Sequence, residues 1–376
     1  MKFELLLPGM TYFGNGEIAR IGSLAVSLGR RALLVTGWGS LEGSGRFNGI
    51  LRNFEAHGVS VERFRLEREP SVAEVTAAAT MARSSKCDMV VSVGGGSAID
   101  LGKAAAMMAR NSGNIRDYLE GVGKGMVMAF PPLPIVAVPT TAGTGSEATR
   151  NAVIGSAKDG FKKSLRDIRL MPRMALVDPE LTSSCPSDVT AATGMDALTQ
   201  LLEALTSRNA TTPISALALS GLSHAARGLP RAVAKGDDLD ARRCMSYAAY
   251  LSGVALSHAG LGAVHALASP LGGLFGVPHT IACAILLPVV TKANLSGLET
   301  GRGTATGLES YRRAGEAMGE SIVDFCAHFH FPRLSAYNIT PEDLEKIVDG
   351  ASPGSLKTNP VELTRSELVG ILHEVI

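Results

Sequence analysis

Aromatic side chains are scarce in this 376-residue chain, at 5% with a single tryptophan, so broad stacking surfaces are scarce too. An excess of either charge is also missing: 36 basic against 35 acidic side chains leave a formal charge of +1. Such a surface has no electrostatic attraction for nucleic acid or anionic lipid, which points to small molecules as partners. The five cysteines, Cys87, Cys185, Cys244, Cys283 and Cys326, are odd in number and lack CxxC spacing. That pattern offers no disulfide framework and suits a reducing cytoplasm. No stretch approaches the ~20 apolar residues of a membrane span, and the KFELLLPGM start is too short for a signal-peptide core. What is present is 45% hydrophobic sequence, enough for two well-cored domains.

The texture changes near residue 180. Before it, ALLVTG (32–37), VSVERFRL (59–66), DMVVSVGGG (88–96) and PIVAVPTT (134–141) alternate with helix-compatible segments. This alternation predicts a doubly wound, mostly parallel sheet in an α/β domain over residues 1–180. After LVDPELTSSCP (176–186) strand patterns vanish, and residues 181–376 read as all-α.

Two loops follow strands in the first domain. In VVSVGGGSAIDLGKA, an apolar strand runs into Gly94, Gly95, Gly96 and Ser97 and then opens a helix. Glycines let the backbone approach a pyrophosphate, and a helix N-terminus offers it free N–H groups. The spacing is not the usual GxGxxG, and a plain tight turn is the competing reading. VPTTAGTGSEAT (138–149) supplies small hydroxyl residues, among them Thr140, Thr141 and Thr144, that can bond phosphate or ribose oxygens. Two such loops in one sheet favour a nucleotide crevice. After the first strand of this domain, NAD-selective sites place an acidic residue for the ribose 2′-hydroxyl, whereas this chain has Gly37, Trp38, Gly39 and Ser40. NADP is therefore permitted and expected to be preferred over NAD, unless Glu42 folds back to serve the ribose.

The second half carries a broken ligand pattern. Asp196 and Gln200 lie one helical turn apart in GMDALTQLLEAL, so both can converge on one point, and His265 and His279 follow in GAVHALASPLGGLFGVPHT. Three of the four are good ligands for a divalent cation that polarises an oxygen; a glutamine amide is a weaker one. Taken singly, a histidine is more often a hydrogen-bonded core or surface residue than a ligand. His258, His328 and His330 receive that reading, and His57, His224 and His373 read as surface positions.

The combination of GGGSAID, PTTAGTGSEAT, GMDALTQLLEAL and GLGAVHALASPLGGLFGVPHT, in this order and spacing, resembles the iron-containing (group III) alcohol dehydrogenases over essentially the whole chain. The resemblance implies a dehydroquinate synthase-like fold: a nucleotide domain, a helical metal and substrate domain, and hydride transfer between NAD(P) and a primary alcohol or aldehyde. It places Asp196, His265 and His279 at metal-ligand positions and Gln200 where the remaining ligand is usually histidine. It puts Gly94 to Ser97, Asp100, Thr140, Thr141 and Thr144 in the cofactor loops, and Asn151 and Lys162 around ribose and nicotinamide. Gly37 to Ser40 resembles the glycine-rich version of NADP-using members. Two further departures are Ser269, where many members have a histidine, and His258, where asparagine is common. With the Ser269 histidine absent, proton exchange must use water, His258 or the cofactor ribose; a structural role for His258 is the alternative.

Bound iron or zinc, or manganese given the added oxygen ligand, is expected to stabilise an alkoxide or polarise a carbonyl while nicotinamide C4 exchanges hydride. The resemblance also implies a homodimer or larger homo-oligomer. Two other readings keep the fold: a metal-independent reductase similar to maleylacetate reductases, with Gln200 contacting substrate, and a dehydroquinate synthase-like lyase or non-catalytic nucleotide-binding relative.

Overall fold

The computed structural model describes residues 2–37, 39, 43, 45–67, 69–156 and 161–376. The chain divides into two compact units, one of Leu7–Pro186 with Gly236–Ser246, the other of residues 2–6, Ser187–Lys235 and Tyr247–Ile376.

The first unit is built on a six-stranded sheet. Strands β1 (Met10–Phe13), β2 (Arg31–Thr36), β3 (Ser60–Arg65), β4 (Met89–Gly94), β5 (Ile135–Pro139) and β8 (Met174–Val177) take the order β1-β8-β5-β4-β2-β3, every pair parallel. β2 and β4 are buried on both sides, as expected where helices cover both faces of a parallel sheet. The two-residue period sorts the side chains. Leu33, Val35 and Val90 face helices α3 (Val72–Ser84) and α4 (Gly96–Arg110). Leu34, Val91 and Val93 face α1 (Ile21–Val26) and α2 (Phe47–Ala56).

The chain leaves β2 toward β3 on one side and returns from β4 toward β5 on the other. The order therefore reverses between β2 and β4, the switch point where open parallel sheets form a ligand crevice at their carboxyl ends. A separate antiparallel hairpin, β6 (Asn151–Ser156) with β7 (Phe161–Arg166), was not anticipated from the sequence. Its charged residues, Lys162, Lys163 and Arg166, hide the strand alternation.

The second unit is helical. Helix α5 (Ser187–Thr206) is buried on nearly every side from Thr190 onward, the signature of a central core helix. Helix α6 (Thr212–Ala234) lies against it at Gly221, where a Cβ would stand only 2.6 Å from a Leu201 methyl. Helices α7 (Leu239–Ala259), α8 (Ala263–Phe275) and α9 (His279–Glu299) follow. By composition α9 is apolar enough to cross a membrane, with mean hydropathy 1.6, which corrects the expectation that no stretch is. Two-thirds of that window is buried inside the protein, as in a core helix.

Candidate nucleotide crevice and metal centre

The two glycine- and hydroxyl-rich loops leave adjacent strands. Gly94 pairs with Pro139 in register, and the Thr140 amide donates to the Gly94 carbonyl at 2.9 Å. The glycines are required by crowding: a Cβ on Gly94 would stand 2.6 Å from that of Ala98, and one on Gly96 would stand 2.5 Å from Thr144 Oγ1. Gly95 lies against Thr141, so the loops touch along their length. Gly95 caps α4 without any side-chain hydrogen bond, and Ser97 is exposed in the first turn. Uncapped N–H groups at the start of a 15-residue helix, beside the switch point, make a seat for an anionic group. Gly37 closes the other side, its amide nitrogen 3.1 Å from where a Gly94 Cβ would stand. Gly39 adopts φ 79°, a conformation that favours glycine, with the Arg65 guanidinium nearby. Ser40, Trp38 and Glu42 lie outside the described residues.

Other candidate cofactor residues are already engaged. Asp100 accepts from Ser146 Oγ at 2.5 Å through one oxygen and from the Val153 amide at 2.9 Å through the other. Its carboxylate ties the second loop and β6 to α4. Lys162 pairs with Glu69 at 2.8 Å across a partly exposed surface. Asn151 differs, because its side-chain oxygen is buried and makes no hydrogen bond.

Beneath the loops sits Lys103, which is fully buried. Its ammonium has Ser146 O and Oγ, Thr149 O and Oγ1 and Asn151 O all within 3.2 Å. Burial lowers its pKa to about 8, with Asp100 and Glu147 opposing. Burial raises the Glu147 carboxyl to about 7, against the pull of its backbone hydrogen bond and of Lys103. Neither residue stands out in sequence, where lysine and glutamate read as solvated.

In the helical unit, Asp196, His265 and His279 converge. Asp196 Oδ1 lies 3.3 Å from His265 Nε2 and 3.9 Å from His279 Nε2, and it makes no hydrogen bond despite complete burial. A buried carboxylate oxygen with no well-formed hydrogen bond, held only by imidazole nitrogens 3.3 and 3.9 Å away, fits a bound cation. The fourth member of the cluster is Cys283. It lies one turn after His279 on α9, and one ligand atom from each of the four residues falls within 4.8 Å of every other.

Gln200 takes a different part from the fourth-ligand role its spacing suggested. Its Oε1 accepts from Ser252 Oγ at 2.7 Å, and its Nε2 donates to Asp196 Oδ2 at 3.1 Å. The opposite amide orientation would set an oxygen against a carboxylate, so Asp196 fixes this one. The amide oxygen is thus committed elsewhere, while the NH₂ group holds Asp196 with its other oxygen toward the histidines.

His265 is fixed by Glu203, two turns after Asp196 on α5. Glu203 Oε2 lies 2.6 Å from His265 Nδ1, and Oε1 accepts the Val264 amide at 2.8 Å. This carboxylate caps the start of α8 and sets the tautomer that leaves Nε2 open to a cation. Gly262 allows it, since a Cβ there would stand 2.8 Å from Glu203 Oε1.

Burial opposes charge on both partners of the central pair. The histidines around Asp196 nevertheless hold its carboxyl below the ordinary value. Cys283, Glu203 and Asp196 raise His265 well above its own. Burial pushes the Cys283 thiol up to about 12 in the metal-free protein. His279 is about one-third exposed, which leaves the cluster one open side.

His258 is engaged by backbone on both ring nitrogens. Its Nε2 accepts the Leu6 amide at 2.8 Å, and Nδ1 lies 2.7 Å from the Val254 carbonyl. Both nitrogens anchor backbone, which favours the structural alternative.

A switch-point crevice on one unit and a buried carboxylate–imidazole cluster on the other define the class: a two-unit, nucleotide-dependent metalloenzyme fold. Family models for iron-containing alcohol dehydrogenases match residues 8–179, and those for the family's C-terminal region match 190–376. The chain belongs to the iron-containing alcohol dehydrogenase family and is an oxidoreductase. The NAD-dependent methanol dehydrogenase of Bacillus methanolicus is 33% identical over 320 residues, covering 85% of this chain and 81% of its own. The crystal structure of a 1,3-propanediol oxidoreductase superposes with TM-score 0.89 and 34% identity, covering all of both chains. That of the sulfoacetaldehyde reductase of Bifidobacterium kashiwanohense with NAD+ gives TM-score 0.88 and 31% identity, covering 100% of this chain and 99% of that one.

Proposed function

We propose that this chain transfers hydride between NAD(P) and a short primary alcohol or its aldehyde, using a divalent cation, iron or zinc, held by Asp196, His265 and His279. The observation that carries the reading is the buried, unbonded Asp196 Oδ1 facing His265 and His279, in a chain of this family. Relatives named for methanol, 1,3-propanediol and sulfoacetaldehyde support a small substrate, against one relative, 38% identical, named for long-chain alcohols.

When bound, the cation supplies Lewis-acid polarisation of the substrate oxygen and the nicotinamide supplies or accepts hydride at C4. Glu203 holds His265 in the ligating tautomer, Gln200 orients Asp196, and Thr140, Thr141 and Thr144 with the start of α4 seat the nucleotide phosphates. With both His258 nitrogens bonded to backbone, solvent on the exposed side of His279 would take the alcohol proton. The scattered free cysteines and the family resemblance support a cytoplasmic enzyme, and the resemblance supports a dimer or larger homo-oligomer, which sedimentation velocity would measure.

Freshly purified protein should hold close to one metal per chain, and chelation should abolish aldehyde-dependent NADPH oxidation. Full activity after complete demetallation overturns the reading. Cofactor preference has its own test at Gly37. A Cβ there meets only ordinary contacts at 3.9 Å, so Gly37→Asp should fold. The new carboxylate repels a 2′-phosphate and should shift kcat/KM toward NADH by roughly 10–100-fold. An unchanged ratio sinks the NADP preference.

A further inference from the structure

We infer that Cys283 is a metal ligand in this chain, its thiolate filling the corner that Gln200 leaves, and that the resulting Asp196–His265–His279–Cys283 set selects zinc. The inference rests on the metal-dependent reading above and names the chemistry of that same site.

Position comes first. His279 and Cys283 share a face of α9 one turn apart, so the residue that brings one ligand to the cluster brings the other with it. Cys283 is fully buried, and its Sγ lies 3.7 Å from both His265 Nε2 and His279 Nε2. Zinc bonds of 2.0–2.3 Å to nitrogen, oxygen and sulfur would put neighbouring ligand atoms roughly 3.3–3.6 Å apart, with a fifth position for the substrate oxygen on the exposed side of His279. Four of the six separations, 3.3, 3.7, 3.7 and 3.9 Å, come close to that spacing, and all six lie within 4.8 Å before any cation draws the groups together.

Elimination comes second. Gln200 spends its NH₂ group on Asp196 Oδ2, the oxygen away from the histidines, and its own oxygen faces Ser252 Oγ at 2.7 Å. An amide NH₂ cannot ligate, whereas a thiol can by losing its proton to solvent as the cation binds. One thiolate and one carboxylate then balance a divalent ion, with two neutral imidazoles completing the set. Thiolate ligands favour zinc over manganese, and they make the site softer than one of oxygen and nitrogen alone.

Cobalt is the probe, because a thiolate bound to Co²⁺ gives a charge-transfer band that oxygen and nitrogen ligands do not. Metal-free full-length protein is titrated with Co²⁺ and read by absorption and elemental analysis. The expected result is one equivalent bound with the band present. Cys283→Ala should lose the band and bind Co²⁺ at least ~100-fold more weakly, a ligand's loss exceeding the 10–100-fold typical of its hydrogen-bonded supports. Zinc should outcompete manganese for the wild-type site by a similar factor. One equivalent of cobalt without the band overturns the sulfur ligand and leaves the dehydrogenase reading standing. No stoichiometric cobalt overturns both. The wild-type spectrum decides the matter even where the variant fails to fold.

Discussion

Lys103 and Asp196 are both fully buried charged residues, one in each unit, and they differ in what surrounds them. The lysine ammonium has five protein oxygens within reach. The aspartate gives one oxygen to Gln200 and leaves the other without a hydrogen bond before two imidazoles and a thiol. A satisfied buried charge ties a fold together; an unsatisfied one is held ready for something that arrives from outside. In the first unit the buried atoms without a hydrogen bond are on uncharged groups or a guanidinium, among them Asn151 Oδ1 on the hairpin next to the Lys103 cluster.

The largest test of that contrast is Asp196→Asn. The amide keeps an acceptor for Gln200 but loses the anionic ligand, so kcat/KM should fall at least ~10³-fold, several kcal/mol of transition-state stabilisation. Metal-free protein should lose only about 1–2 kcal/mol against metal-free wild type, the carboxylate's pairing with His265 being offset by the relief of a buried charge. A metal-free variant that is strongly destabilised would make Asp196 a structural residue and erase the comparison.

Lys103→Met is the mirror experiment. It preserves the stem and removes the ammonium, leaving the oxygens of Ser146, Thr149 and Asn151 unpaired. Denaturant unfolding should show a loss of about 3–4 kcal/mol. The metal content of whatever fraction folds should match wild type, and a metal deficit with intact stability would contradict the assignment.

The sequence made much of this contrast legible and hid part of it. Strands β2 to β5 are readable from their apolar runs, and the two loops from their glycines and hydroxyls. The four-residue strands β1 and β8 are too short for any periodicity to show. The i, i+4 spacing correctly put Gln200 on the face of Asp196, but its role depends on Ser252, 52 residues away on another helix, which spacing cannot reveal. Cys283 carries the same four-residue signal relative to His279, yet cysteines without CxxC spacing read only as evidence of compartment. Glu203 is visible as the next acidic residue on the Asp196 helix, though nothing local tells that it meets His265. Lys103 is invisible in principle, since its burial is created by β6 and the second loop folding over it.

Glu203→Gln sharpens the comparison at the level of a single proton. The variant oxygen can still accept the Val264 amide, but its NH₂ would then face His265 Nδ1, which must become an acceptor. The ring proton moves to Nε2, and the histidine can no longer ligate without rearranging. Metal affinity, measured by chelator competition, should drop roughly 10–100-fold with little change in melting temperature. Unchanged affinity would show that Glu203 serves only to cap α8.

The smallest effect concerns the sign of pH dependence, which should be opposite in the two units. Glu147 is raised from 4.5 to about 7, so the stability tied to its neutral form is complete below 4.5 and is lost as pH rises through 7. Lys103 is depressed from 10.5 to about 8, so its contribution is present above 10.5 and is lost as pH falls through 8. Together they place the minimum of the Lys103 cluster's contribution near neutrality. In metal-free protein, the depressed Asp196 contributes stability above 3.8 and the raised His265 contributes it fully below 6.5, so the two overlap on the acid side of neutrality. Glu147→Gln isolates one limb: between about pH 5 and pH 6 it should remove a stability loss of roughly 1 kcal/mol, the limiting slope for one proton. Parallel unfolding curves for wild type and variant across that interval would mean that Glu147 is ionised in the fold throughout, and that Lys103 holds it as a partner rather than a neighbour.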